Sequence, residues 1–277
     1  MDSTVIATAL PAIAADIGTS PISLKLALTA YLVSLAVFIP ISGWMADRFG
    51  ARRIFAIAIG VFLVGSIACA VSSSLVEFVF ARFLQGMGGA MMTPVGRLVL
   101  LRSVEKSQLV SAMAWLTIPA LVGPMVGPPV GGFLTTFLSW HWIFLINIPI
   151  GLAGIAFALK ILPDDGIRVR EKVDWLGFLL SGAAASGIVF GLSVVSLPVL
   201  PPVWGIAATL GGILCLIAYL RHARSHPKPL LDPKLFRNRT FALSLLGSNL
   251  FRVGAGAVPF LLPLMLQLGF GMSPFQS

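Results

Sequence analysis

Arg82 lies about two turns inside the run Leu75-Val76-Glu77-Phe78-Val79-Phe80-Ala81-Arg82-Phe83-Leu84, among side chains that cannot solvate a guanidinium. An ionised group at such depth costs about 3 kcal/mol on insertion scales, so it calls for a polar partner or a water-filled cavity. Gln85, one turn on, falls on the same helical face. Asp2 is the second candidate, because a longer first apolar run would take its carboxyl out of water, and such a carboxyl can take up and release a proton near neutral pH. Proton exchange is one chemistry the Asp2 carboxyl allows, and Arg82 with Gln85 marks a polar site inside an apolar helix. The plainer readings are a structural arginine bonded to the carbonyls of a broken helix and, if Met1 is the true start, a helix-end aspartate in water.

Two glycine patterns suggest moving parts. In Gly43-Trp44-Met45-Ala46-Asp47-Arg48-Phe49-Gly50-Ala51-Arg52-Arg53, Gly43 would let two helices approach and Gly50 would permit a tight turn. Asp47 would cap a helix end and pair with guanidinium groups, so the segment could latch neighbouring bundles; alternatively Arg48, Arg52 and Arg53 only anchor the loop on one side of a membrane. In the second pattern Gly123, Gly127 and Gly131 recur every four residues, with Gly132 adjoining and Pro124, Pro128 and Pro129 between them. This bare, bendable face reads as a hinge or as close helix packing. Arg252, near Asn249, is a further intramembrane cation that could line a pathway. Trp140, Trp142, Trp175 and Trp204 fall near the ends of apolar runs, as interfacial belt residues do, and Cys69 and Cys215 read as packing residues.

Helices must position these groups. Of the 277 residues 57% are hydrophobic and 10% charged, with a mean hydropathy of +0.98, more apolar surface than a soluble domain can hide. Crossing a bilayer takes about 20 apolar residues. Runs of that kind occur at 1–16, 22–46, 53–73, 75–99, 107–136, 141–161, 174–196, 203–221 and 240–269, which predicts an all-α polytopic membrane protein with nine spans. The first run, about 24 Å as a helix, is short for a core of about 30 Å, and a missing N-terminal stretch is the simplest expectation. The net charge of +9 is no nucleic-acid footprint, because the basic residues sit in short loops. All but Lys25, Arg82 and Arg252 of the 19 lie on one side if the spans alternate, which predicts that side to be cytoplasmic.

The 43–53 segment resembles the cytoplasmic signature loop of the major facilitator superfamily. Arg82-Phe83-Leu84-Gln85-Gly86-Met87-Gly88-Gly89-Ala90 is similar to its fourth-span motif, and Gly123-x-x-x-Gly127-Pro128-x-x-Gly131-Gly132 to the motif of its proton-driven antiporters, with Ala114 where a further glycine is usual. Asp2-Ser3-Thr4-Val5-Ile6-Ala7-Thr8-Ala9-Leu10-Pro11 and Trp140-His141-Trp142-Ile143-Phe144-Leu145-Ile146-Asn147-Ile148-Pro149 resemble the first- and sixth-span segments of the fourteen-span drug:proton antiporter branch. The resemblance implies a transport bundle over 1–161, a cytoplasmic loop over 162–173, two inserted helices over 174–221, a cytoplasmic connector over 222–239 and the first helix of a second bundle over 240–277. About nine of fourteen spans would then be present and the second half missing.

The expected function is antiport by alternating access, with protons entering as a small hydrophobic or cationic compound leaves across the cell membrane. A metabolite or sugar facilitator would share the 43–53 loop, and a non-transporting scaffold would share the composition. Neither accounts for the fifth-span pattern and Arg82 together. A nucleotide-binding loop, a metal-ligand cluster and a hydrolase triad are not visible in the linear spacing, so the reading is of a transporter without cofactor, metal or enzymatic activity, whose partners are protons, substrate and lipid.

Overall fold

The computed structural model describes residues 2–162, 172–195 and 201–270, without the side chains of 2–4, 7–8, 121, 124, 128, 253, 255–264 and 266–270. The described residues form α1 (Asp2–Ile17), α2 (Lys25–Phe49), α3 (Ala51–Val71), α4 (Leu75–Ser103), α5 (Leu109–Phe137), α6 (Trp142–Leu145), α7 (Asn147–Ile161), α8 (Trp175–Val195), α9 (Pro202–Ser225) and α10 (Arg239–Phe270). Short 3-10 turns at Lys106–Gln108 and Pro233–Arg237 join some of them, and no strand occurs among the described residues.

Every apolar run of the sequence is helical, with instructive differences at the ends. Span two continues to Phe49, so Trp44 to Phe49 are helical and the expected signature loop is a single residue, Gly50. Its φ of +91° is a conformation that a Cβ disfavours, and this lets α2 turn directly into α3. Span six breaks at Ile146, because Pro149 supplies no amide to the Leu145 carbonyl and the helix restarts at Asn147. The Ser74 hydroxyl starts α4 by accepting from the Glu77 amide, while the Glu77 carboxylate accepts from the Ser73 amide, a reciprocal cap. At 29 residues α4 is about 44 Å long and overshoots a core of about 30 Å, which carries Arg102 to the level of the α2 end. The expected connector is shorter at its start than 222–239, since α9 runs on to Ser225.

Among the described residues, six stretches are long and apolar enough to cross a membrane: α2, α3, residues 106–127, α6 with α7, α8, and α9. The remaining three expected spans fall outside that set. At 16 residues α1 is short, and most side chains in the second half of α10 lie outside the described residues. Glu77, Arg82 and Gln85 lower the hydropathy of α4, as a helix carrying a buried polar site requires.

The chain divides into two compact units, Met1–Leu230 and Leu231–Ser277. In the first, α4 packs along α2 and α3, α1 along α5, α7 along α3, and α8 along both α9 and α2. One apolar cluster gathers Ile6, Ile13, Cys69, Phe78, Trp140 and Phe144, and another gathers Ala46, Ile54, Met91 and Val95. Trp140 departs from the expected interfacial belt: it is buried, stacks on His141 and donates from Nε1 to Asp16 Oδ2 at 3.0 Å, tying the end of α1 to the entry of α6. Trp142, Trp175 and Trp204 are exposed at helix ends, where a belt would place them. In the second unit α10 packs on the Pro233–Arg237 turn.

Candidate functional site

Glycines set the distance between the helices that build the site. A Cβ at Gly65 of α3 would stand 2.5 Å from both Cα and N of Gln85 on α4, and one at Gly86 would stand 2.8 Å from the Tyr31 carbonyl on α2. Backbone therefore lies against backbone on two sides of α4, and the polar side chains between these helices are sealed from lipid.

Arg82 and Gln85 are both fully buried there. Arg82 Nη1 donates to Gln85 Oε1, as the three-residue spacing allows, and the guanidinium carbon lies 4.2 Å from the centre of the Tyr31 ring, a cation–π contact. Gln85 Nε2 donates to Ser66 Oγ at 3.0 Å, and Asn147 Nδ2 donates to the same oxygen at 3.0 Å. Ser66 Oγ in turn donates to the Phe144 carbonyl at 3.2 Å, and Cys69 Sγ lies 3.7 Å from Gln85 Oε1. The Phe144 carbonyl stands at the α6–α7 break, so the break and the network are one construction. Residues from α2, α3, α4, α6 and α7 thus hold one guanidinium in a connected hydrogen-bonded group, an arrangement in which each bond orients the next. Tyr31, Ser66 and Asn147 were missed in the sequence; polar residues in otherwise apolar helices were the available signal.

The expected latch is partly assembled. Asp47 Oδ1 accepts from Arg102 Nη2 at 2.6 Å, a pair between the end of α2 and the end of α4, so its partner is not one of the arginines of its own segment. Arg52 Nη1 donates to the Leu162 carbonyl at 3.3 Å, while Arg48 and Arg53 are exposed and line a cavity of about 420 Å³ with Met45, Phe49, Ile54 and Ile57. The close approach expected at Gly43 is not made: this glycine is exposed and a Cβ there would meet nothing within 4 Å. Gly65, Gly86 and Gly88 make that approach instead.

In α5, Gly123, Gly127 and Gly131 are buried and Gly132 is half-buried with open space at its Cβ position, whereas Val122, Met125, Val126 and Phe133 are exposed. The side chains of Asp2 and Pro128 lie outside the described residues, as do Arg168 and Arg170. Asn249 and Arg252 are exposed on α10.

A third group was not anticipated. Asp174, just before α8, accepts on Oδ1 from the Gly177 amide at 2.8 Å and from His222 Nε2 of α9 at 2.7 Å. His222 and His226, four residues apart, bring their ring centres to 5.1 Å. Burial pushes the Asp174 carboxyl up, but the Gly177 hydrogen bond, the His222 hydrogen bond and the attraction of both histidines outweigh it and hold the group below the ordinary carboxylate range.

A stack of apolar helices around a sealed guanidinium defines a multi-pass helical membrane protein with a buried polar centre. The profile of the Major Facilitator Superfamily matches residues 1–277, and the chain belongs to that family of transporters. It is 44% identical over 277 residues to proteins named "Putative multidrug resistance protein MdtD" from Cronobacter sakazakii and Citrobacter koseri, and 43% identical to the one from Klebsiella pneumoniae. Each alignment covers all of this chain and 59% of the relative, so the chain spans about three fifths of the length of these curated relatives.

Proposed function

We propose that this chain works in a secondary active transporter that exports small hydrophobic or cationic compounds, drugs among them, in exchange for protons. The observation that carries the reading is the Arg82 network, a permanent charge enclosed by polar groups from five helices in the middle of an apolar bundle. A guanidinium so placed disfavours a second cation nearby and favours an ionised carboxylate, so a proton entering or leaving that neighbourhood shifts the balance of the whole group. Asp2 is the carboxylate assigned to exchange the proton, with Arg82 and Gln85 as its partners. The printed name of the relatives supports the drug class of substrate.

The other residues take roles around that centre. Gly50 with the Asp47–Arg102 pair, and Gly43, Arg48, Arg52 and Arg53 around it, form the latch at one end of the bundle. Gly123, Gly127, Pro128, Gly131 and Gly132 make α5 the hinge, and Asn249 and Arg252 of α10 are assigned to the pathway. The protein spans the cytoplasmic membrane with its basic loops inside. The test is efflux of a cationic dye from vesicles carrying the protein expressed from its complete reading frame. Efflux that follows an imposed proton gradient and stops with a protonophore is expected; efflux indifferent to the gradient overturns the coupling.

A further inference from the structure

We propose that Asp174, His222 and His226 form a binding site for a divalent transition-metal ion of the zinc class, which clamps the start of α8 to the end of α9.

The two helices run antiparallel as a tight pair. A Cβ at Gly187 would stand 2.7 Å from the Ala208 carbonyl and 2.8 Å from Gly212 Cα, and one at Gly212 would stand 2.7 Å from the Ile188 amide, so backbone touches backbone along the pair. At one end of the pair Gly205 of α9 stands against Val195 of α8. At the other end stand the three residues, each offering one ligand atom, all within 4.8 Å of one another. Two imidazole nitrogens and one carboxylate oxygen are a donor set that suits zinc and its neighbours in preference to magnesium or calcium.

Three features point to a cation and not only to a histidine–aspartate pair. The Asp174 side chain is 3% exposed, yet its Oδ2 has no hydrogen-bond partner, whereas Oδ1 has two. A buried carboxylate oxygen without a donor is what a metal ion satisfies. Gly177 leaves room for that oxygen, because a Cβ at that position would overlap Oδ2. Finally, spacing of four residues puts both imidazoles on one face of α9, and His226 is the residue at which the helix ends, so its ring can shift while His222 stays in the last turn. Metal–ligand bonds of about 2.0–2.1 Å place tetrahedral ligand atoms about 3.3 Å apart, so binding replaces the 2.7 Å Asp174–His222 hydrogen bond with two bonds to the ion and needs only small shifts of ligand atoms already within 4.8 Å of one another. Three protein ligands leave a fourth position for water or another donor. Arg221 and Arg224 of the same turn are exposed, where solvent screens their opposition to the ion.

The test uses the whole 277-residue chain, purified in detergent through a tag free of histidine, stripped with a chelator and dialysed against zinc. The expected result is about one zinc per chain, retained in a large excess of magnesium, with a zinc-dependent rise in the melting midpoint. Cobalt in place of zinc is expected to give the visible absorption of a low-symmetry nitrogen–oxygen site. His226→Ala and His222→Gln are each expected to weaken zinc binding at least about 100-fold, the upper end of the loss seen when only an outer-shell partner is removed. His226 is the half-buried residue at which α9 ends, so this variant is expected to keep the parent size-exclusion profile. Zinc uptake below about a tenth of an equivalent, displacement by magnesium, or unchanged uptake in His226→Ala overturns the site and leaves an ion pair alone.

Discussion

Gly65 and Gly43 both lie within helices, and alanine at the two positions is expected to act in opposite directions. In a helix interior the change from glycine to alanine contributes about 0.5–1 kcal/mol by restricting the unfolded chain, and at Gly43 nothing within 4 Å opposes the added methyl. At Gly65 the same methyl stands 2.5 Å from Gln85 Cα and N, whereas ordinary contact begins at 3.4 Å, so α3 and α4 must part by about 0.9 Å. The obstacle is backbone on a packed helix, and overpacking of this kind costs about 1–3 kcal/mol. The two variants should therefore differ by about 2 kcal/mol, or roughly 4–8 °C in melting midpoint for a chain of this size. A second readout is local. Cys69 is fully buried beside Gln85, and in a Cys215→Ser background its modification by a maleimide should be faster in Gly65→Ala than in the parent or in Gly43→Ala. Equal midpoints within about 1 °C and equal Cys69 rates would refute the claim that backbone contact at Gly65 holds the network together.

Gly127→Leu is expected to abolish export or to make the membrane leak protons while insertion stays normal, and normal export with an intact proton gradient would reduce the α5 glycines to packing. Trp140→Phe removes the hydrogen bond to Asp16 and should lower stability by about 1 kcal/mol, read as a lower melting midpoint; an unchanged midpoint would show that the α1–α6 tie contributes nothing. Cysteine introduced by Ser225→Cys is expected to resist a membrane-impermeant reagent added outside intact cells, and labelling there would invert the proposed topology.

The helices and the Arg82–Gln85 contact were legible in the sequence for one physical reason: apolar length and three-residue spacing act within a segment. What escaped depends on pairs distant along the chain. Asp47 meets Arg102 across 55 positions and Trp140 meets Asp16 across 124, so local pattern suggested neighbouring arginines for the first and a membrane interface for the second. Asp174 and His222 are 48 positions apart, and only the antiparallel α8–α9 pair brings them together. The glycines are a subtler case. Gly43 and Gly65 look alike in sequence, since both stand among apolar residues, and only the facing helix decides which of them is needed. The span ends moved by a few residues because apolar composition marks the bilayer, whereas helices continue past it until a glycine such as Gly50 or a proline such as Pro149 stops them.

The central claim is that the buried guanidinium takes part in proton-coupled export, and Arg82→Lys tests it most directly. Lysine keeps the positive charge but cannot reproduce the planar, multiply donating group that bonds Gln85 and covers the Tyr31 ring. In vesicles carrying the complete protein, dye efflux and proton movement are followed together under an imposed pH gradient, for wild type, Arg82→Lys and Arg82→Ala at equal membrane abundance. The account predicts strong, gradient-dependent efflux in wild type, little in Arg82→Lys and none in Arg82→Ala. Wild-type efflux by the alanine variant, with its proton movement intact, would contradict it and leave Arg82 as a structural residue of the bundle.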